Sequence, residues 1–242
     1  MDLRGRVALV TGAGQRVGRA IALALAARGM KVAIHHHESA AGAEETAELA
    51  RRAGGDGWPV RADLRTADAA ERLVRDTAAH FGTLDALVNS AAVMMRTPVA
   101  DVTAEQWDTM MALNLRAPFF CARAAAAVMG DRGGAIVNIA DLAGLEAWPA
   151  YVPHGISKAG VIQMTRALAR TLAPHIRVNA VAPGAVLLPP DWTDADAARL
   201  ASTTPLGRIG TPGDVAQAVC FLLESDYVTG DTLIVDGGRH IR

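Results

Sequence analysis

Short apolar, β-branched runs alternate along the whole chain with longer Ala-rich segments whose apolar positions recur at helical spacing. Seven runs, "RVALVTG", "KVAIHHH", "GWPVRAD", "LDALVNS", "GAIVNIA", "IRVNAVAPG" and "DTLIVDGG", read as strands, and the text between them reads as helices. A strand that is apolar on both sides, rather than every second residue, expects cover on both faces. Strands alternating with helices then predict an α/β fold: one doubly wound parallel sheet of about seven strands with helices on both faces.

No internal repeat, linker or compositional break divides the 242 residues, so residues 1–242 are read as a single domain. One irregular insertion, "GAVLLPPDWTDADAARLASTTPLGRIG" from Gly184 to Gly210, carries a Pro-Pro pair and an acidic run. It predicts a loop with one short helix. Loops of this kind emerge beyond the carboxyl ends of strands, where open α/β sheets bind ligands, so residues 184–210 are the expected substrate lid.

Composition narrows the partners. Hydrophobic residues make up 51% of the chain and the formal net charge is −1 with both signs interspersed, which leaves no electrostatic footprint for nucleic acid or an anionic membrane. The opening "MDLRGRVALV" is charged and then runs into a strand, so no signal peptide or membrane span is expected and a cytoplasmic location follows. Cys121 and Cys220 lie in apolar helical text and read as reduced core residues.

Candidate chemistry begins after the first strand, at "TGAGQRVGRAIALALAARG". Gly12 and Gly14 let the backbone approach a phosphate, and Gly18 lets helix and strand pack closely. The helix N-terminus adds unpaired N–H groups and positive partial charge. With Arg16 and Val17 these residues form the expected dinucleotide turn of a Rossmann fold.

The second strand ends in "HHHES", with no acidic residue directly at its end to hold ribose hydroxyls. Arg16, His37 and Ser39 suit a ribose 2′-phosphate and hence NADP(H), whereas Glu38 suits the free hydroxyls of NAD(H). A metal is not expected at the three histidines, because neighbours on a strand point to opposite faces. At the third strand end Asp63 is placed to accept from an adenine amino group, next to Leu64. Asn89 and Ala91, in "NSAA", mark where a cofactor would pass the fourth.

These pieces together resemble the short-chain dehydrogenase/reductase family over essentially the whole chain. The resemblance is carried by "TGAGQRVG", "NSAA", "EQWDTMMALN", "IVNIA", "SKAGV", "IRVNAVAPG" and "VTGDTLIVDGG". Arg16 within the turn, "HHHESAA", Asp141 and the tail "DGGRHIR" are similar to pteridine reductases, including dihydromonapterin reductases.

The resemblance implies a catalytic set of Asn114, Asp141 at the usual Ser position, His154 at the usual Tyr position and Lys158, which also holds the nicotinamide ribose. It places Pro183 and Gly184 beside the nicotinamide carboxamide, and Met94 where pteridine reductases carry a stacking Phe. It also implies a homotetramer built through helices beside the site.

His154 is the departure that matters. In the family's chemistry a hydride reaches a C=O or C=N carbon while a Tyr, its phenol lowered from about 10 by the neighbouring Lys, protonates the heteroatom. An ammonium beside His154 and the helix N-terminus both favour a neutral ring, a poor acid, while a carboxylate from Asp141 within hydrogen-bond reach opposes them. An Asp141–His154 acid pair backed by Lys158 is the expectation, and Tyr151, in the loop before a helix that starts near Pro153, is the rival donor.

Met94, Trp148, Tyr151, Leu187 and Trp192 are candidate walls for a flat ligand. Three readings follow: an NADP(H)-dependent reductase of a small C=N or C=O substrate, pterin-like by resemblance, a nucleotide-binding protein without turnover, and a reductase of 3-oxoacyl or keto-sugar substrates.

Overall fold

Every predicted strand forms, and all seven pair in parallel. In this computed structural model, which describes residues 1–188 and 193–241, they are β1 Val7–Val10, β2 Lys31–His36, β3 Asp56–Arg61, β4 Ala86–Asn89, β5 Gly134–Ile139, β6 Ile176–Pro183 and β7 Thr232–Val235. The sheet order is β3-β2-β1-β4-β5-β6-β7. Pro59 lies in β3, an edge strand, where its missing N–H costs no inner ladder bond.

Alternation along each strand decides which layer it feeds. Ala8 and Val10 of β1, Val32 and Ile34 of β2, and Val88 of β4 point to one face. There they meet helices α1 (Arg16–Ala26), α2 (Ala40–Arg52) and, later in the chain, a helix spanning Pro212–Glu224. Val7, Leu9, Leu87 and Ile136 point the other way, against α3 (Ala67–Phe81) and a helix spanning Ala117–Met129. Both faces are therefore dry, which is why these strands read as continuous apolar runs.

Three helices shape the site. α4 (Ala104–Met111) passes through a π turn at Ala112–Arg116 into α5 (Ala117–Met129), and α6 (Val152–Leu172) follows β5. The start of α6 lies within one residue of the position that Pro153 predicts. Within the expected lid, Asp194–Ser202 forms α7, capped by a reciprocal Thr193 and Asp196 box; beyond the lid, Pro212–Glu224 is α8. Residues 189–192, and with them Trp192, lie outside the described residues. No described helix is long and apolar enough to cross a membrane.

After β1 the chain builds outward to β2 and β3, then returns to place β4 on the other side of β1. A crevice opens at the carboxyl ends of β1 and β4, where the winding reverses. Buried Thr11 braces it, its hydroxyl oxygen accepting from the N–H groups of Ser90 at 2.9 Å and Ala91 at 3.0 Å. At the opposite end of the same strand pair, Asp85 accepts from Val7 N–H at 2.9 Å and from the Arg6 guanidinium at 3.0 Å.

Candidate active site

The glycine turn is shaped by contacts that admit no side chain. A Cβ on Gly18 would lie 2.2 Å from the Gly12 carbonyl oxygen, and one on Gly12, whose φ is +67°, would lie 2.9 Å from Ala91 Cα. Arg16 takes a left-handed φ of 54° in the middle of the turn. That conformation costs an L-residue free energy, and it leaves the guanidinium exposed at the turn with no hydrogen bond or ion pair to a described residue. Val17 packs against the core, and Gly14 sits against Ser39.

Helix α1 has no side-chain cap from Gln15, so the first-turn N–H groups at the crevice have no side-chain acceptor. Uncapped donors and a backbone stripped of Cβ atoms fit the pyrophosphate of a dinucleotide.

His35 holds this turn in place. Its Nδ1 accepts from Gly12 N–H at 3.0 Å and its Nε2–H donates to the Ala62 carbonyl at 3.1 Å, so one ring ties the ends of β1, β2 and β3 together. Both bonds need the neutral ring protonated on Nε2. Burial pushes this histidine down to about 4, with His36 and His37 adding to the effect. Buried His36 leaves Nδ1 without a partner, while His37 is half-exposed, 3.8 Å from Glu38 and 3.9 Å from Asp63. Among the described residues no cluster of His, Cys, Asp and Glu is arranged to hold a metal.

The structure adds partners to two of the cofactor residues. Arg65 grips the partly exposed Asp63 carboxylate with both Nε and a terminal nitrogen, the shortest contact being 2.7 Å, and that hydrogen-bonded guanidinium holds it down at about 2. The reason is local, since the turn after β3 folds Arg65 back on a residue two positions away. Asn89 turns its amide into the protein, donating to Asn138 Oδ1 at 2.9 Å and the Pro118 carbonyl at 3.3 Å. Asn138 continues the chain to Thr165 at 2.9 Å, so the Asn89 side chain welds β4 to β5 and α6. Leu64 is buried in the core, leaving its backbone as the part able to face a ligand.

The expected catalytic residues converge at the carboxyl end of β5 and the start of α6. Lys158 is buried and donates to the Ile139 carbonyl at 2.8 Å. Burial lowers its ammonium to about 8, with the Asp141 carboxylate acting in the opposite sense. His154 is 2% exposed, and its Nε2 is buried without a hydrogen-bond partner. Asp141 Oδ2 stands 3.7 Å from that nitrogen, near enough for charge to act and too far for a hydrogen bond, because the other oxygen caps the 3-10 turn Leu142–Gly144 through Ala143 N–H at 2.8 Å. The expected Asp141–His154 pair is thus adjacent but not closed.

Asn114 sits in the π turn, bonded both ways to the backbone of Val93 and 3.1 Å from Ser157 Oγ. Tyr151 is the residue just before α6 and pairs in parallel with Thr97. Its ring lies edge-on to Trp148, with centroids 6.2 Å apart. Met94 is 49% exposed, and Leu187 is exposed in the described part of the lid. Pro183 ends β6, and Gly184 follows against Asp236, which a Cβ on Gly184 would approach to 2.7 Å. Cys121 and Cys220 are free and buried, pushed up to about 12 and about 11 mainly by burial, as packing residues are.

Sequence reading missed Thr11, His35, Asn138 and Ser157 as site-building residues. Each acts across many residues of chain, with no local pattern to reveal it.

Known proteins are similar to this chain over nearly its whole length. The profile of a family described as Enoyl-(Acyl carrier protein) reductase matches residues 12–240. A 3-oxoacyl-[acyl-carrier-protein] reductase of Synechocystis sp. is 37% identical over 242 residues, 98% of this chain and 97% of that protein. A 3beta-hydroxysteroid dehydrogenase 1 of Eggerthella lenta is 35% identical over 246 residues, 98% of this chain and 94% of that protein. The solved structure of a short-chain dehydrogenase/reductase from Serratia marcescens superimposes with a TM-score of 0.92 at 33% identity, covering 99% of both chains.

Proposed function

The chain belongs to the short-chain dehydrogenase/reductase family, and on that premise we propose that it is an NADP(H)-dependent reductase of a ketone, with 3-oxoacyl thioesters the first substrate class to test. The observation that carries this reading is the group of unspent polar atoms at the end of β5. His154 Nε2 has no partner, two of the three Lys158 N–H bonds remain after the one to Ile139, and Asp141 adjoins both.

A reduced nicotinamide, when bound, supplies the hydride. His154 and Lys158 then offer N–H donors to the substrate oxygen, with Asn114 and Asp141 behind them and Tyr151 and Trp148 on the rim. Lys158 holds a proton exchangeable near neutral pH.

The pterin-like reading drawn from Asp141 and the C-terminal tail has weaker support. Neither curated relative compared above is named for such a substrate, and half-exposed Met94 stands where a stacking aromatic is expected. Preference for NADP(H) is supported by Arg16, exposed at the turn and unpaired among the described residues, while Glu38, 3.8 Å from His37, is the feature that favours NAD(H). We further propose a cytoplasmic homotetramer. Met111, Leu115, Phe119, Phe120 and Met164 line an apolar surface cavity of about 350 Å³ suited to burial between subunits.

The test is NADPH oxidation, with NADH in parallel, against acetoacetyl-CoA, simple ketones and a dihydropterin. Turnover on a ketone with NADPH supports the proposal, and turnover on the dihydropterin alone restores the pterin reading. Cofactor binding without turnover leaves a nucleotide-binding protein.

A further inference from the structure

The amide of Asn114 cannot turn over, because the backbone holds both of its ends. Oδ1 accepts from Val93 N–H at 2.8 Å and Nδ2 donates to the Val93 carbonyl at 2.8 Å, so a flip would replace both bonds by repulsions. One amide hydrogen is spent on Val93. The other faces Ser157 Oγ at 3.1 Å and His154 Nδ1 at 3.5 Å. Ser157 directs its own proton at the His154 carbonyl, 2.7 Å away, so its oxygen acts as acceptor towards Asn114.

A hydrogen on His154 Nδ1 would therefore point at an amide N–H. The opposite nitrogen has the reverse surroundings: Nε2 is buried, without a partner, and faces Asp141 Oδ2 at 3.7 Å. Among the described residues the charged group against the ring is Asp141, from the turn after β5, and Lys158 follows one turn along α6 with its ammonium on the Ile139 carbonyl.

We propose that Asn114 locks His154 in the Nε2–H tautomer, so that the ring is a fixed hydrogen-bond donor to the substrate oxygen, and that the proton completing the alcohol comes from Lys158. Asn114 is then a positioning residue acting through His154. The proposal rests on the carbonyl-reductase reading of the site. The electron pair arrives as hydride on the carbonyl carbon from reduced nicotinamide dinucleotide, and the C=O π pair moves to oxygen. An N–H bond of the Lys158 ammonium breaks as the O–H forms, leaving a neutral amine that water reprotonates. His154 keeps its proton throughout, since a neutral imidazole that gave it up would be left as an anion.

Long-range proton–nitrogen NMR of ¹⁵N-histidine-labelled protein without cofactor reads the tautomer directly, with the His154 signals assigned by their loss in His154→Gln. The proposal expects a single Nε2–H form at neutral pH. An Nδ1–H form or a doubly protonated ring overturns it. In Asn114→Asp, checked for folding by circular dichroism, a carboxylate oxygen replaces the amide N–H and the proton should move to Nδ1; a folded variant with an unmoved tautomer overturns the lock.

Turnover supplies a second arm. Gln keeps an N–H donor, so His154→Gln should stay within about tenfold of wild type while His154→Phe loses about 100-fold or more. If Gln is as inactive as Phe, the ring is the proton source and the assignment to Lys158 fails. A wild-type protein that reduces no ketone fails the functional reading and leaves the tautomer measurement standing.

Discussion

The two ends of the crevice spend their polar groups differently. Around the glycine turn, Thr11, His35, Asp63 and Asn89 are engaged by the protein's own atoms, and the buried His36 Nδ1 and the exposed Arg16 are left over. Around the end of β5, His154 Nε2 and two Lys158 hydrogens are left over. A buried polar atom without a partner costs free energy, so a fold keeps one where a ligand later satisfies it. On the proposed function, the first region is a shape for phosphates and the second a set of donors for a substrate oxygen.

The largest expected effect breaks the second region. Lys158→Met should lower ketone reduction by about 10³-fold. In the intact protein, reduction should fall as pH rises through about 8, where the buried ammonium loses its proton. Steady-state rates across pH check both, and a variant with near-normal turnover would remove Lys158 from the chemistry.

Next comes the rigid turn. Gly18→Ala puts a methyl 2.2 Å from a backbone oxygen, and relief requires the turn itself to move. A loss of about 3 kcal/mol, on the order of 10 °C in Tm, should accompany weaker NADPH binding. Calorimetry with and without cofactor measures the two together, and an unchanged Tm would show that the turn yields easily.

His35 sharpens the same comparison through pH. Its ordinary value of 6.5 falls to about 4 in the fold, so its contribution is complete above 6.5 and is lost as pH drops towards 4, where the unfolded chain binds a proton that the native ring refuses. The interval corresponds to about 3 kcal/mol at 1.36 kcal/mol per unit. Urea unfolding of wild type and His35→Gln at a series of pH values should show a steeper loss in wild type over that window. Parallel curves would mean that the ring does not hold the turn through its neutral form.

The smallest effect concerns cofactor choice. Arg16→Ala should weaken NADPH about tenfold, the loss of one charge-assisted contact, and leave NADH within about twofold. Fluorescence titration with both cofactors distinguishes this from a general loss of the turn, which would weaken them equally.

Much of this architecture was legible beforehand. The seven strands, the start of α6 after Tyr151, the packed cysteines and the positions of Gly12 and Gly18 follow from periodicity, Pro and Gly, which act within a few residues. The pairing of Asp63 with Arg65 was also open to reading, since two positions separate them. The inward turn of Asn89 was not, because its partners Pro118 and Asn138 lie 29 and 49 residues on. His35 was one of three consecutive histidines, and the rule that neighbours face opposite ways does not say which one faces Gly12.

By itself, then, the sequence determined a doubly wound sheet and a glycine turn between β1 and α1, because those are properties of local spacing and residue type, while the resemblance to the family marked His154 as standing at the usual Tyr position. Only the tertiary structure decided that Asp141 stops short of His154, that Asn114 faces Nδ1, and that Nε2 is left free. Each of those depends on backbone from β4, β5, the π turn and α6 meeting at one point, and hydrogen-bond direction at such a junction is set by where the chain ends up in space.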